Sequence, residues 1–173
     1  FTQMPSCAPS APGLETTGFE ITPKDVEEAM KWPGIIGLGE MMNFPGIIRE
    51  DRNLLAEIAA TQAAGKIVGG HYASPDLGIN FHAYIASGIA DDHEGTTEED
   101  AIARARQGIK PMMRLGSAWY DVKRQITAIT EKKLDSRNFI LCTDDCHSGT
   151  IVHDGHMNRV VRHAIECGCN PIE

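Results

Sequence analysis

Four residues of this chain carry the donor groups that hold divalent metals: Glu40, His71, His93 and Asp144. Imidazole nitrogens and carboxylate oxygens are what hard and borderline cations take. The four lie about 20 to 50 residues apart, one to a segment, and are not clustered as in a zinc finger. Asp144 raises a further question, because the stretch NFILCTDDCHSG (138–149) runs an apolar segment straight into two adjacent carboxylates. Like charges this close raise each other's pKa and cost stability unless something positive stands between them. A cation bound to Asp144 would supply that charge, leaving Asp145 to cap the loop or the following turn.

The elements that must position these groups follow a rhythm. Short apolar runs end in polar residues: FTQMPSCAPS, GIIGLGEMMN, KIVGGHYAS, GIADDHEG, IKPMMRLGS and FILCTDDCHS. Between them lie helical segments: TPKDVEEAMKW, DRNLLAEIAATQAAG, FHAYIASG, TTEEDAIARARQG, AWYDVKRQITAITEKKL and HMNRVVRHAIECG. Thr22 before Pro23, and Thr96 or Thr97 before EED, read as helix starts, while Gly65, Gly88, Gly108 and Gly168 read as stops. Strands alternating with single helices predict right-handed βαβ units and a parallel sheet, hence an α/β fold. Six such units are two short of a closed eight-stranded barrel. In barrels of that kind the chemistry sits at the C-terminal strand ends, and here those ends carry Glu40, His71, His93, Arg114 with Ser117, and Asp144.

A lone histidine at a strand end is more often a hydrogen-bonded structural group, but four metal-type residues at four such junctions point to a metal centre. His147 follows the paired carboxylates closely enough to reach a substrate. His153 and His156 fit a site mouth or a solvated loop, and His82 and His163 read as surface or supporting groups. The TTEEDAIARARQG charges read as a solvated helix face, and the Met pair beside Glu40 as core. SCAPSAPGLETTG fits either a loop over the site or a plain connection.

At 173 residues, with 42% hydrophobic and 23% charged residues, the chain is one ordinary domain by length. A net charge of −8 and a pI near 5.3 argue against nucleic acid or an anionic membrane as partner. No apolar run is long enough to span a bilayer, and with no n-region and h-region in view no signal peptide is expected. The first residue is Phe, which suggests a segment of a longer chain. Five cysteines form no disulfide framework, so a reducing, cytoplasmic location is expected, and Cys167-x-Cys169 reads as ordinary packing.

The runs PSCAPSAPGLETTG, GLGEMMNFPGII, GGH, HAYIASGIADDHEGTT, RLGSA, LCTDDCH and DGHMNRVVRHAIECGCNP, in unbroken order, resemble the bacterial adenine deaminases of the amidohydrolase superfamily. The resemblance implies a (β/α)₈ TIM-type barrel of which this chain, 1–173, would hold about strands three to eight, without the flanking domains. It implies hydrolytic deamination of adenine to hypoxanthine and ammonia at a centre of two divalent metals, Mn²⁺ or Fe²⁺, with Zn²⁺ as the other option. Glu40 would match the carboxylate that bridges the metals, His71 and His93 two further ligands, and Asp144 the aspartate that binds metal and carries the proton. Glu94, Arg114 and Ser117 would contact the purine. The family's first-strand His-x-His pair is absent, and YASPDLGINFHAY departs from the family's usual turn after His71.

A homo-oligomer is implied for the full-length enzymes. Another amidohydrolase, acting on a cyclic amide or another aminopurine, shares the same metal logic. A non-catalytic piece of a barrel is the alternative outside enzymes, and the chain by itself is expected to be inactive.

Overall fold

The computed structural model describes residues 1–172, which divide into two compact units, residues 1–92 and residues 93–172. In the first unit, β1 (Thr2–Met4), β2 (Ile35–Met41) and β3 (Ile67–Gly70) form a parallel sheet in that order. The register pairs Thr2 with Ile35 and Leu38 with Val68. Around these strands run α1 (Pro23–Ala29), α2 (Phe44–Ile48), α3 (Arg52–Ala63) and α4 (Ile79–Ala86), and the unit ends in the short strand β4 (Asp91–Asp92). The Ala90 N–H donates to the Val68 carbonyl at 2.8 Å, bringing the approach to β4 alongside β3.

The second unit contains α5 (Glu98–Arg106), β5 (Lys110–Arg114), the short helices α6 (Val122–Gln125) and α7 (Thr127–Thr130), a 3₁₀ turn at Ser136–Asn138, β6 (Ile140–Cys142), α8 (Ser148–His153) and α9 (Met157–Glu166). Strands β5 and β6 pair in parallel, Met112 opposite Ile140 and Arg114 opposite Cys142. The chain is thus α/β with parallel strand pairing and no closed barrel among the described residues.

Helix boundaries follow from capping chemistry. Thr22 and Thr97 are N-caps, each closing a capping box with the acid three residues on, Asp25 or Asp100. The Asp100 carboxylate accepts from the Thr97 N–H at 3.0 Å and the Thr96 N–H at 2.9 Å, so one side chain satisfies two otherwise orphaned donors. Gly65, Gly88, Gly108 and Gly168 all take positive φ where helices stop.

Three features differ from the sequence expectation. The helix expected over AWYDVKRQITAITEKKL starts only at Val122 and breaks at Ile126. Residues 117–121 instead turn back, Leu115 bridging to Tyr120, and the β-branched run ITAIT weakens helix continuity. Helices α2 and α8 were not expected, and both begin at a side-chain cap: Asn43 accepting from the Gly46 N–H, His147 from the Gly149 N–H.

Each unit has its own apolar interior. In the first, Leu38 and Met41 of β2, Val68 of β3, Val26 and Ala29 of α1, and Phe81 and Tyr84 of α4 are buried. Tyr72 is at the centre of an aromatic group, with ring centroids 5.0 Å from Phe44 and 5.3 Å from both Phe81 and Tyr84. In the second, Met113, Leu115, Val122, Ile126, Val160 and Ala164 pack together, with Cys167 and Cys169 against them. All five cysteines are partly buried. No helix among the described residues is long and apolar enough to cross a membrane.

Removing the Thr97 cap tests this reading of the helix starts. Thr97→Ala should lower the unfolding free energy by about 1 kcal/mol, measured by urea denaturation. Thr97→Ser should cost much less, and equal losses in the two variants would show that the hydroxyl is not the source.

Candidate active site

In the first unit the strand ends carry Glu40 and His71. Glu40 lies in the last turn of the β2 pleat and His71 directly follows β3. Their side chains meet, His71 Nδ1 standing 2.9 Å from Glu40 Oε2. With the proton on Nδ1, the imidazole donates to the carboxylate and presents Nε2 as a lone pair, the arrangement in which a histidine serves a metal. The backbone beneath is tightly held. The Ser6 hydroxyl donates to the Glu40 carbonyl at 2.6 Å, and the Tyr84 hydroxyl donates to the Met41 carbonyl at 2.8 Å while accepting from the His71 N–H at 2.8 Å.

His71 is one of three consecutive backbone donors that each meet a side chain. The Gly70 N–H donates to Asp91 Oδ1 at 3.2 Å and the Tyr72 N–H to Asp92 Oδ2 at 2.6 Å. The two acids of ADDHE therefore clamp the chain on either side of His71. Gly70 permits this closeness, because a Cβ there would collide with the Asp91 carbonyl and the Ile89 side chain.

In the second unit His93, Glu94 and Asp144 come together, each offering a ligand atom within 4.8 Å of the others. His93 Nε2 lies 3.6 Å from Glu94 Oε1. Beneath them is Arg114, at the end of β5 and only 1% exposed. Its Nη1 donates to Glu94 and, at 2.9 Å, to Asp144 Oδ2, and its Nε donates to Asp121 Oδ2 at 3.0 Å. Nη2 is also 2.9 Å from that Asp121 oxygen, but as an ion contact without hydrogen-bond alignment, so Nη2 has no bonded acceptor. The Trp119 ring covers the guanidinium at 4.5 Å. Burial by itself would pull the Arg114 pKa down, but Glu94, Asp144 and Asp121 outweigh it and hold it above its ordinary value.

Asp144 takes the left-handed conformation, φ 56, which aspartate tolerates better than most residues. Its Oδ1 accepts from the next N–H, that of Asp145, at 2.6 Å. The positive partner that the DD pair calls for is thus present in the chain as Arg114. Asp145 does its tethering through the backbone, its carbonyl accepting from the Ser117 N–H at 3.0 Å.

The remaining expected substrate contacts have structural duties. Arg114 is buried, with its donors turned to carboxylates. Ser117 Oγ accepts from the His147 N–H at 2.6 Å and lies 2.9 Å from the Thr150 hydroxyl, joining the loop after β5 to the loop after β6. His147 is exposed and caps α8, its Nδ1 accepting from the Gly149 N–H at 3.0 Å. Gly116 allows the two loops to touch, since a Cβ there would strike the carbonyls of Thr143 and Asp145. Asp91, Asp92, Tyr84 and Asp121 were not singled out by sequence. The doubled acid at 91–92 mirrors the one at 144–145 and was the available signal. Nothing in the local pattern marks Tyr84 or Asp121.

No family model matches the chain. Its relatives are nevertheless close. It is 79% identical over 172 residues to an adenine deaminase of Ruegeria pomeroyi and 78% identical to one of Roseobacter denitrificans, covering 99% of this chain in each case. A more distant adenine deaminase, from Moorella thermoacetica, is 51% identical over the same span. The chain covers 28% of the first of these proteins and 29% of the other two.

Two substitutions test the supports. Tyr84→Phe leaves the His71 N–H and the Met41 carbonyl without their shared partner, and should cost about 1–3 kcal/mol of stability. Gly116→Ala should lower the melting temperature by several degrees, whereas Ala118→Gly, two residues away, should change it little. A Gly116→Ala protein that melts with the parent would mean the two loops are not in contact. Over essentially its whole length, then, the chain is related to the bacterial adenine deaminases.

Proposed function

We propose that this chain carries catalytic residues of a metal-dependent deamination that converts adenine to hypoxanthine and ammonia by hydrolysis. The observation that carries the reading is the charge balance around Arg114. One guanidinium faces the carboxylates of Glu94, Asp121 and Asp144, leaving two negative charges in excess beside the His93 imidazole. A divalent cation has the charge to offset that excess, and nitrogen and carboxylate donors are ligands it accepts. The adenine deaminase names of the relatives support the choice of substrate.

On this reading Glu40 with His71, and His93 with Asp144, are donor pairs for divalent metal, Mn²⁺ or Fe²⁺ ahead of Zn²⁺. Asp144 keeps lone pairs free on both oxygens while holding the Arg114 and Asp145 donors, so ligation does not require breaking either contact. A bound metal would supply an acidified water. Asp144 is the residue that would hold a proton taken from water and return it to the departing amino group at C6 of the purine. Arg114 keeps the Asp144 carboxylate aimed. Glu94, held by the same guanidinium, is placed to accept a hydrogen bond from a ring N–H.

The parallel α/β steps fit consecutive turns of a (β/α)₈ barrel of the metallo-dependent hydrolase kind, with residues 1–173 in its later strands. A cytoplasmic, homo-oligomeric enzyme acting on a free purine suits the acidic composition and the odd, irregularly spaced set of cysteines.

The test is ammonia release from adenine by the protein that carries this chain, with metal content measured in parallel. Asp144→Asn keeps a residue that accepts positive φ, so the fold should persist while turnover falls by about 10²–10⁴-fold. Activity within about tenfold of the parent would remove the proton-carrying role. Chelation should abolish turnover and added Mn²⁺ or Fe²⁺ should restore it. An enzyme that deaminates adenine at full rate after complete metal removal would sink the reading as a whole.

A further inference from the structure

Away from the strand ends, the first unit holds a second acidic centre that the chemistry above does not use. A cleft of about 50 Å³ lies between the loop after β1 and the starts of α2 and α3. Its polar lining comes from Ser6, Glu20, Asn43, Asp51, Asn53 and Glu57. Glu57, in the middle of α3, is 2% exposed, whereas Glu20 and Asp51 are exposed at the rim. Glu57 Oε2 meets no hydrogen-bond donor. No lysine, arginine or histidine is among the described residues that line the cleft. Burial, followed by the nearby charges of Asp51 and Glu20, pushes the Glu57 carboxyl up to about 7.

A buried carboxylate without a donor or a counter-charge is costly. Two species can relieve it, a proton or a cation. The volume suits one small ion and a water, since a water occupies about 30 Å³ in the liquid. Among the described residues, Glu20, Asp51 and Glu57 do not bring three carboxylate oxygens within 4.8 Å of one another, as a dehydrated divalent metal would need. Two further oxygens already have donors: Asn43 Oδ1 accepts from the Gly46 N–H at 3.0 Å, and Asp51 Oδ1 from the Asn53 N–H at 2.9 Å. What remains is an all-oxygen site with few oxygens left to ligate, open to water at its rim. Such a site suits a large, loosely coordinated cation.

We propose that this cleft binds one monovalent alkali cation, potassium or sodium, against the buried Glu57 carboxylate. The ion enters past Glu20 and Asp51, keeps water on its outer side, and competes with a proton for Glu57. Because Glu57 binds a proton more tightly folded than unfolded, folding without the ion takes up protons. Stability then declines as pH rises from about 4.5 toward about 7. The cation replaces that proton above neutrality and reverses the loss.

The experiment is thermal unfolding of the protein at pH 8.5 in potassium, sodium or tetramethylammonium chloride at equal ionic strength, the last ion being too large to enter. With the alkali ion at ten times its dissociation constant, the parent should melt about 3–5 °C higher than in tetramethylammonium. The difference should shrink at pH 5.5, where a proton holds the site, and should vanish in Glu57→Gln. Equal midpoints in all three salts, or the same salt effect in Glu57→Gln, would overturn the proposal and leave Glu57 as a proton site alone. Should Glu57→Gln fail to fold, thallium(I) resonance broadening on the parent decides: potassium must displace it if the site exists, and no broadening refutes it. No arm uses adenine or a divalent metal, so the outcome is independent of the deaminase reading.

Discussion

A single buried guanidinium organises the second unit. Arg114 sits under the exits of two parallel strands and engages carboxylates from three different loops, at positions 94, 121 and 144. Removing such a cation from beneath three acids would leave them repelling one another in a poorly hydrated place, where charges interact far more strongly than at the surface. The loops are therefore fixed in relation to one charge, and through it to the end of β5. That explains why Asp144 can occupy the left-handed region: the cost of the backbone conformation is offset by two directed hydrogen bonds to its carboxylate, one from Arg114 and one from its own successor.

The first unit solves the same problem with neutral and backbone groups. Here the strand exits are joined by hydroxyls: Ser6 reaches the Glu40 carbonyl, and Tyr84 spans from the His71 N–H to the Met41 carbonyl. The two designs differ in their sensitivity to medium. A charge-centred network responds to salt and to the charge of whatever binds. A hydroxyl-bridged one depends on packing, and Tyr84 lies in the apolar group around Tyr72. The Glu40–His71 contact rests on that packed platform.

Much of this was legible in the sequence and some was not, for physical reasons. The six strands and the main helices could be read because their ends are marked by local chemistry, Thr22 and Thr97 at starts and Gly65, Gly88, Gly108 and Gly168 at stops. The strand-end rule singled out Glu40, His71, His93 and Asp144, and the structure puts Glu40 against His71 and His93 beside Glu94 and Asp144. Asp121 and Tyr84 were hidden because their partners lie across the fold, and an acid in a loop or a tyrosine on a helix gives no sign of which distant group it will meet. The closeness of His147 to the paired acids gave no sign that its ring closes the start of α8.

The row of amides at the exit of β3 has a consequence of another kind. Gly70, His71 and Tyr72 direct their N–H groups to Asp91, Tyr84 and Asp92. Their protection from solvent hydrogen exchange therefore reports on three side chains and not on sheet pairing. In deuterium oxide these three amides form a built-in gauge of the clamp around His71. They would exchange together when α4 and β4 loosen, even while the register of β2 against β3 stays intact.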